Sequence, residues 1–350
     1  MKKGMPEQMR RYLAALLLVT AACGGSGASE GGTLSLMSHD SFADAVTEET
    51  FAAFTEETGF EVEVLPAGDA GAMVNQAVLT RDNPLADLLF GIDDTFLTRG
   101  LEAGIFEPYT SSWLSSVPSS MQLDPENRVT PIDFGDVCLN FDKEAFTDLT
   151  APASLDDLIT PAYADMFVAL NPSTSSPGLA FLLATIDRYG EEGWHDYWRA
   201  LFENGTAVSP GWTEGYYGEF SGGAGEGDRP LVVSYASSPP AEVIFAETPL
   251  DEAPTGVMTD GCYRQVEFVG VLAGTEQAEA AGQLIDFMLS VEFQETIPLN
   301  WFVFPVNSEA QLPAEFVEHT TLPEDPVQFP PDVIEANRQR WLDEWAEIFG

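Results

Sequence analysis

Short apolar runs alternate with longer amphipathic stretches along the part of the chain that follows residue 32. The predicted elements are strands at 33–37, 60–65 and 86–90, the last halted at Gly91, and helices at 44–57 and from about residue 71. Polar residues and glycine follow these strands, at the edge where open α/β sheets bind their ligands. The pattern therefore predicts an α/β lobe that begins near residue 33.

The pattern restarts in a second region and then returns to the first, after a stretch at 105–130 that is typical of surface loop. The later predicted elements are strands at 129–141, 166–170, 231–235 and 263–272, an apolar helix at 179–189, a core helical stripe at 194–201, and helices at 276–290 and 332–349. Two of these strands are long enough to cross between lobes, which predicts a hinge and a ligand cleft between two α/β lobes. We assign residues 33–134 with 265–350 to lobe 1 and residues 135–264 to lobe 2.

A stretch rich in aromatic residues and glycine, at 210–218, precedes the predicted strand 231–235. It carries Trp212 and Tyr216, and we expect a mobile backbone bearing large flat side chains suited to a flat ligand. Tyr235 and Trp301 are further aromatic groups near predicted strand or loop ends. The stretch predicts a site for an aromatic, cationic small molecule, and aromatic side chains tucked beneath the fold are the alternative.

Polar residues at predicted strand and helix ends offer complementary charges. A carboxylate such as Asp40 or Asp69 would face the cationic part of a ligand. The hydroxyl run at 173–176, which includes Ser175, precedes Pro177 at a predicted helix start, where free backbone N–H groups can bind an anion. Plain capping of that helix is the alternative interpretation.

The charge balance excludes some partners. The 350 residues include 14 Lys and Arg against 57 Asp and Glu, a formal net charge of −43, and 45% of residues are hydrophobic. Such a chain can bury a substantial core, and its surface repels nucleic acid and anionic membrane. We therefore expect no nucleic-acid partner.

The first 32 residues indicate export. Basic residues precede a short apolar run and small residues, so 1–22 are predicted to be a secretory signal peptide. Cys23 follows Thr-Ala-Ala as in a bacterial lipobox, which predicts lipidation at Cys23 and a flexible tether at 23–32. We expect a cell-surface or periplasmic lipoprotein, with ordinary cleavage and an incidental Cys23 as the alternative.

Cys138 and Cys262 then remain as two cysteines in an oxidising compartment. Such a pair more often forms a disulfide than not. Free thiols near different sheets are the alternative.

Catalytic and metal motifs are lacking in the sequence. The three histidines show no zinc spacing, and no Gly-x-Ser-x-Gly elbow or P-loop occurs, so neither an enzyme, a metal nor a cofactor is predicted. Asp40 and Asp93, at predicted strand ends, leave a secreted hydrolase as the alternative of another class.

Six short motifs occur in an order that resembles the thiamine-binding proteins of bacterial ABC importers. They are Ser-His-Asp-Ser-Phe at 38–42, Gly-Ile-Asp at 91–93, Ser-Ser-Pro-Gly at 175–178, Gly-Trp-Thr-Glu at 211–214, Ser-Tyr-Ala-Ser-Ser-Pro at 234–239 and the segment 301–305. The resemblance spans about residues 33–349. It implies a two-lobed class II periplasmic-binding-protein fold, and a monomer that delivers thiamine and its phosphates to a permease without catalysis.

The resemblance also implies which residues bind. The implied ligand-binding set is His39, Asp40, Asp69, Ala70, Asp93, Ser175, Trp212, Tyr216, Tyr235 and Trp301, with Ser175 facing the phosphate of a thiamine phosphate. Two positions depart from the family pattern. His39 stands where a tyrosine is common, and Pro240 and Ala241 stand where an aromatic residue is expected.

Ferric iron is the rival ligand among binding proteins. Related iron-binding proteins use adjacent tyrosines as phenolate ligands, and Tyr216 and Tyr217 supply such a pair that His39 and a carboxylate could complete. The neighbouring Trp212 favours a flat organic cation instead.

Overall fold

The computed structural model describes residues 31–246 and 248–350. The predicted signal peptide, the lipidation site Cys23 and most of the tether lie outside the described residues. Within the described ranges, no helix is long and apolar enough to cross a membrane.

The described residues form ten strands and eleven α-helices, besides shorter 3-10 turns and one π-helix. The strands are β1 (Thr33–Ser38), β2 (Glu61–Pro66), β3 (Leu88–Asp93), β4 (Phe106–Glu107), β5 (Thr130–Asp142), β6 (Phe167–Leu170), β7 (Ala207–Ser209), β8 (Leu231–Tyr235), β9 (Thr255–Leu272) and β10 (Phe304–Pro305). The helices are α1 (Asp40–Ala45), α2 (Ala52–Thr58), α3 (Ala70–Leu79), α4 (Leu97–Ala103), α5 (Ser176–Glu203), α6 (Ser238–Ile244), α7 (Ala278–Leu289), α8 (Val291–Gln294), α9 (Ile297–Asn300), α10 (Ala314–His319) and α11 (Pro331–Phe349).

All strands belong to one mixed sheet whose main order is β2-β1-β3-β9-β5-β8-β6-β7. The first half, β2-β1-β3, and the second half, β8-β6-β7, are each parallel. Between them, β5 and β9 run antiparallel to each other and to their outer neighbours. These are the two long crossing strands that the sequence predicted, and the predicted lobe boundaries fall within them.

The helix predicted at 44–57 is wrong in its bounds. Two short helices, α1 and α2, stand there, and α2 ends at Gly59 in the left-handed conformation with a φ of 79°. Phe51 and Phe54, which suggested one helix, are both buried beside that second helix. Their spacing indicated that the two side chains share one apolar face. It did not indicate that the helix is interrupted between α1 and α2.

The third strand does not stop at Gly91. It continues to Asp93 through a bulge against β9, where the register shifts between Phe90 and Ile92. Gly91 has a φ of 94°, a conformation that residues with a side chain rarely adopt. An added Cβ would also lie 2.2 Å from the His39 ring, so both the backbone conformation and the available space require glycine here. The bulge thereby positions His39 against the end of β3.

The helix predicted from residue 179 starts at Ser176 and reaches Glu203, with a kink at Gly190. Trp194 and Trp198 on its second part have no exposed surface, which confirms the predicted core stripe. The C-terminal helix α11 contributes Trp345, whose ring meets that of Trp198 edge to face at 5.6 Å. The stretch predicted as surface loop at 105–130 contains β4 and two 3-10 turns.

Cys138 and Cys262 form a disulfide, with Cα atoms 4.4 Å apart. Cys138 lies in β5 and Cys262 in β9, where the register of the two strands shifts between Val137 and Leu139. The bond ties the two crossing strands together at their irregular point. The predicted pairing is confirmed.

Candidate functional site

A cavity of about 340 Å³ opens between the two halves of the sheet. Its aromatic lining consists of Trp212, Tyr216, Tyr217, Tyr235, Phe245, Trp301 and Phe302. Its acidic lining consists of Asp44, Asp69, Asp133, Glu242 and Glu267. No lysine or arginine is among the described lining residues, and His39 is the one basic side chain there. This composition suits a flat ligand that carries positive charge.

Trp212 stands on one wall of the cavity, in a helical turn that continues as a π-helix over Glu214–Glu219. The expectation of a mobile loop at 210–218 is therefore wrong. The Trp212 ring stacks on Tyr216 with centroids 4.9 Å apart and an interplanar angle of 14°. Its Nε1 donates a hydrogen bond to Ser234 Oγ at 2.9 Å, so side chains of the protein itself hold the ring in place.

Tyr235 and Trp301 also line the cavity, as the resemblance implied. The Tyr235 ring lies over Gly135, where an added Cβ would be 2.8 Å from the ring. Its hydroxyl donates a hydrogen bond to Gln265 Oε1 at 2.8 Å. Trp301 Nε1 donates to Asp133 Oδ2 at 3.1 Å. Both rings are thus anchored at one end and present a face to the cavity.

Two aromatic lining residues, Phe245 and Phe302, were not among the predicted binding residues, and only Phe245 lies near the break in the family pattern at Pro240 and Ala241. Phe245 follows α6 and is 59% exposed. Its ring meets that of Phe302 at 5.2 Å, edge to face, beside Trp301. Phe245, just beyond α6, and Phe302, next to Trp301, together add an aromatic wall to the cavity. Two isolated phenylalanines in separate loops carry no pattern that could have indicated this meeting.

His39 reaches the cavity from the N-terminus of α1, where its Nδ1 accepts a hydrogen bond from the Phe42 amide at 3.2 Å. Its Nε2 lies 3.6 Å from Glu267 Oε1. Burial lowers the pKa of His39, but Glu267 above all, with Asp69 and Asp93, raises the pKa to a net value above the usual one. The acidic neighbours of His39 thus favour its protonated form.

Asp69 and Ala70 lie at the start of α3, on the wall formed by the first half, as the resemblance implied. Asp69 Oδ1 accepts a hydrogen bond from the Ala70 amide at 2.7 Å. Burial raises the pKa of Asp69 to about 6, although that amide, His39 and Ser175 each lower it. Asp40, by contrast, is exposed and does not line the cavity, because its carboxylate accepts from the Gly68 amide at 2.9 Å.

Asp93 and Ser175 lie behind the cavity surface, and both are fully buried. Asp93 accepts hydrogen bonds from Ser176 and from Gln265, both of which line the cavity. Burial raises the pKa of Asp93. Ser175 precedes the first residue of α5, so the predicted helix N-terminus is present next to the cavity. Asp40 and Asp93 therefore do not face one reacting atom, as a hydrolase dyad would require.

Tyr216 and Tyr217 are poorly prepared to act as phenolates. The Tyr216 hydroxyl donates to Glu242 Oε1 at 2.6 Å. Burial and then the Glu242 carboxylate raise the pKa of Tyr216 well above its usual value, and burial raises that of Tyr217 as well. Among residues 31–246 and 248–350, no group of three or more His, Cys, Asp or Glu side chains could hold a metal ion. An iron site at this tyrosine pair is thus less supported than a site for an organic cation.

The buried carboxyl group of Asp94 should make the stability of the protein depend on pH. It accepts hydrogen bonds from Tyr263 Oη at 2.6 Å and from the Val266 amide at 3.0 Å, and burial raises its pKa to about 8. The folded chain therefore retains a proton that the unfolded chain loses above about pH 4, so this group lowers stability as pH rises from about 4 to 8. Asp94→Asn should flatten that fall by about 1 kcal/mol per pH unit, measured by urea unfolding at several pH values.

The exposed carboxylate of Asp82 is the matched control for this measurement. Asp82→Asn should leave the pH slope of the unfolding free energy as it is in the wild type. An Asp94→Asn variant with the wild-type slope would contradict the prediction.

The architecture, two parallel half-sheets joined by two long antiparallel strands with a cavity between them, defines a two-lobed α/β binding protein of class II. Residues 83–330 match the model of the bacterial extracellular solute-binding protein family. The chain belongs to that family, whose description as extracellular indicates an exported protein.

Two thiamine-binding proteins are among the proteins to which the chain is similar. The chain is 29% identical over 294 residues to the thiamine-binding periplasmic protein of Escherichia coli K12, which covers 84% of this chain and 85% of the relative. Among solved structures, a periplasmic thiamin binding protein superposes with a TM-score of 0.79 at 26% identity, over 91% of this chain and 96% of that one.

An iron-binding protein shares the fold. Iron-bound HitA from Pseudomonas aeruginosa superposes with a TM-score of 0.70 over 90% of this chain and 99% of that one, at 20% identity. At that identity the likeness concerns the fold alone. The two ligand classes that the sequence left open are therefore both found on this architecture, and the composition of the cavity has to distinguish them.

Proposed function

We propose that this protein captures thiamine, and its phosphates, outside the membrane and delivers them to the permease of an ABC importer. The observation that carries the proposal is the cavity itself, in which seven aromatic and five acidic side chains line the space without a lysine or arginine among the described residues. Thiamine combines a flat aminopyrimidine with a flat cationic thiazolium ring. Aromatic faces and carboxylates are the groups that bind such a cation.

The distribution of these groups suits capture between lobes. With the lobe boundaries proposed from the sequence, four of the five carboxylates come from lobe 1, and five of the seven aromatic rings come from lobe 2. A ligand that touches both sets stabilises the closed arrangement over an open one, as closure on binding requires. Contacts such as Ser41 Oγ to Thr213 Oγ1, at 3.4 Å, already join the two sides.

We expect a phosphate at the start of α5. Ser176 begins this helix and lines the cavity, whereas the first amide of α3 already donates to the Asp69 carboxylate. Free backbone N–H groups at helix N-termini bind anions without any basic side chain. Ser175, immediately before α5, is the hydroxyl that we expect next to such a phosphate.

We also propose that the chain is anchored to the membrane and does not convert its ligand chemically. Cleavage after residue 22 and lipidation of Cys23 would anchor the chain, with 23–32 as the tether to the membrane. The protein would act as a monomer and would leave its ligand chemically unchanged. The separate positions of Asp40, exposed, and Asp93, buried, support binding without hydrolysis.

Titration of the mature protein tests the proposal directly. Addition of thiamine should change the intrinsic tryptophan fluorescence, since Trp212 and Trp301 line the cavity, and calorimetry should give saturable one-site binding. Thiamine monophosphate and diphosphate should compete for the same site. Ferric citrate is the comparison ligand. A tyrosinate-to-iron absorption band with ferric citrate, together with no thiamine binding, would overturn the proposal in favour of iron.

A further inference from the structure

Two carboxyl groups face the cavity from neighbouring strands. Asp133 in β5 is the register partner of Glu267 in β9, so their side chains share one face of the sheet at about 5 Å between Cβ atoms. Both line the cavity. Asp133 is fully buried, whereas the Glu267 side chain retains 13% exposure. Together they form a carboxyl pair on the cavity floor.

The pair is unequal in its surroundings. Asp133 receives one hydrogen bond, from Trp301 Nε1 to Oδ2, and its buried Oδ1 accepts none from the described residues. Burial and then the negative charge of Glu267 raise the pKa of Asp133 well above its usual range. Glu267 lies beside His39, with its Oε1 3.6 Å from the imidazole Nε2.

The other titratable groups around the pair come from three more elements. Asp69 stands at the start of α3, Asp93 at the end of β3 and Tyr235 at the end of β8. Asp69 and Asp93 make these surroundings acidic. Within them, the fully buried Asp133 is the member of the pair whose raised pKa favours the protonated form.

We propose that the Asp133–Glu267 pair is the specificity determinant for the ligand's aminopyrimidine edge, an inference that rests on the proposed thiamine function. A 4-aminopyrimidine presents a ring nitrogen that accepts and an amino group that donates, side by side. The Asp133 acid donates to the ring nitrogen, and the Glu267 carboxylate accepts from the amino group. Asp133 Oδ1 accepts no hydrogen bond from the described residues, and a hydrogen bond shared with Glu267 raises the pKa of Asp133, so a ligand edge that reaches the pair meets both carboxyl groups.

A 4-oxopyrimidine edge reverses the two roles, since its ring N–H donates and its carbonyl accepts. To match it, the proton would have to move from the fully buried Asp133 to the partly exposed Glu267, which would leave the charge on the buried member of the pair. A site that leaves buried polar groups unpaired discriminates strongly between such analogues. We therefore expect thiamine to bind about 10- to 100-fold more tightly than oxythiamine, its 4-oxo analogue.

Calorimetric affinities for thiamine and oxythiamine test this inference. The isosteric variants Asp133→Asn and Glu267→Gln should each reduce the preference for thiamine to about 3-fold or less. Glu242→Gln is the matched control, because Glu242 is a cavity carboxylate on the opposite wall that is hydrogen-bonded to Tyr216. It should change the affinity for both ligands together and retain their ratio.

Thermal unfolding establishes that each variant is folded, and should Asp133→Asn fail to fold, Glu267→Gln at the partly exposed position decides the question alone. Equal wild-type affinity for the two ligands, or a full preference retained in a folded variant, would overturn the role of the pair while the thiamine function stands. A wild-type protein that binds neither ligand would instead reject the thiamine function itself.

Discussion

Replacement of Trp212 by alanine should weaken thiamine binding by about 10-fold or more. The ring lines the cavity, lies parallel to Tyr216 and is held by its hydrogen bond to Ser234. Loss of one aromatic face removes stacking and cation–π terms of about 1 to 3 kcal/mol together. Calorimetric titration of thiamine into the wild type and the variant measures the effect.

Trp212→Phe is the matched variant for this experiment. It retains an aromatic face but removes the indole N–H that binds Ser234. If the face binds the ligand, phenylalanine should recover most of the affinity that alanine loses. If both variants lose affinity equally, the hydrogen bond that positions the 210–218 segment matters more than the ring. Unchanged affinity in Trp212→Ala would remove this residue from the site.

Removal of the disulfide should have the largest effect on stability. Cys138 and Cys262 are 124 residues apart, and closing so long a loop contributes about 4 to 5 kcal/mol in the chain-entropy model. The Cys138→Ala, Cys262→Ala double variant should lose about that much free energy of unfolding in urea titrations. The reduced wild type is the internal control, because it lacks the bond but retains both sulfur atoms.

The expected order of stability is oxidised wild type above reduced wild type, with the double variant close to the reduced form. Both cysteines are almost fully buried, so reduction should be measured after unfolding and refolding in the presence of a thiol. A double variant as stable as the oxidised wild type would show that the crossing strands hold their register without the bond.

Local patterns were sufficient for elements in which one face is buried throughout. The strand predicted at 231–235 and the long crossing at 129–141 match β8 and β5 closely, since their apolar residues have one environment along the whole element. Local patterns gave a wrong secondary structure where side-chain packing determines the backbone conformation. The stretch at 210–218 contains glycines typical of a loop, but Trp212 and Tyr216 stack on each other in a helical turn.

The candidate site was predictable to the same extent. Trp212, Tyr235 and Trp301 line one cavity. They were predicted as binding residues because each is an aromatic residue near a predicted strand or loop end. His39 and Asp40 are adjacent in sequence, yet only His39 lines the cavity. His39 is the extended N-cap of α1 and Asp40 is its first helical residue, so their side chains diverge, and the Asp40 carboxylate turns to the Gly68 amide.

The sequence by itself predicted the α/β class and the two crossing strands, and it favoured a disulfide between the two cysteines and a flat, cationic ligand as hypotheses. Only the tertiary structure decided which distant groups meet. Phe245 and Phe302 form a wall from separate loops, and Asp133 and Glu267 become neighbours through the register of β5 and β9. Register and loop packing depend on contacts between residues far apart in the chain. A local pattern of apolar and polar positions does not indicate which distant residues make those contacts.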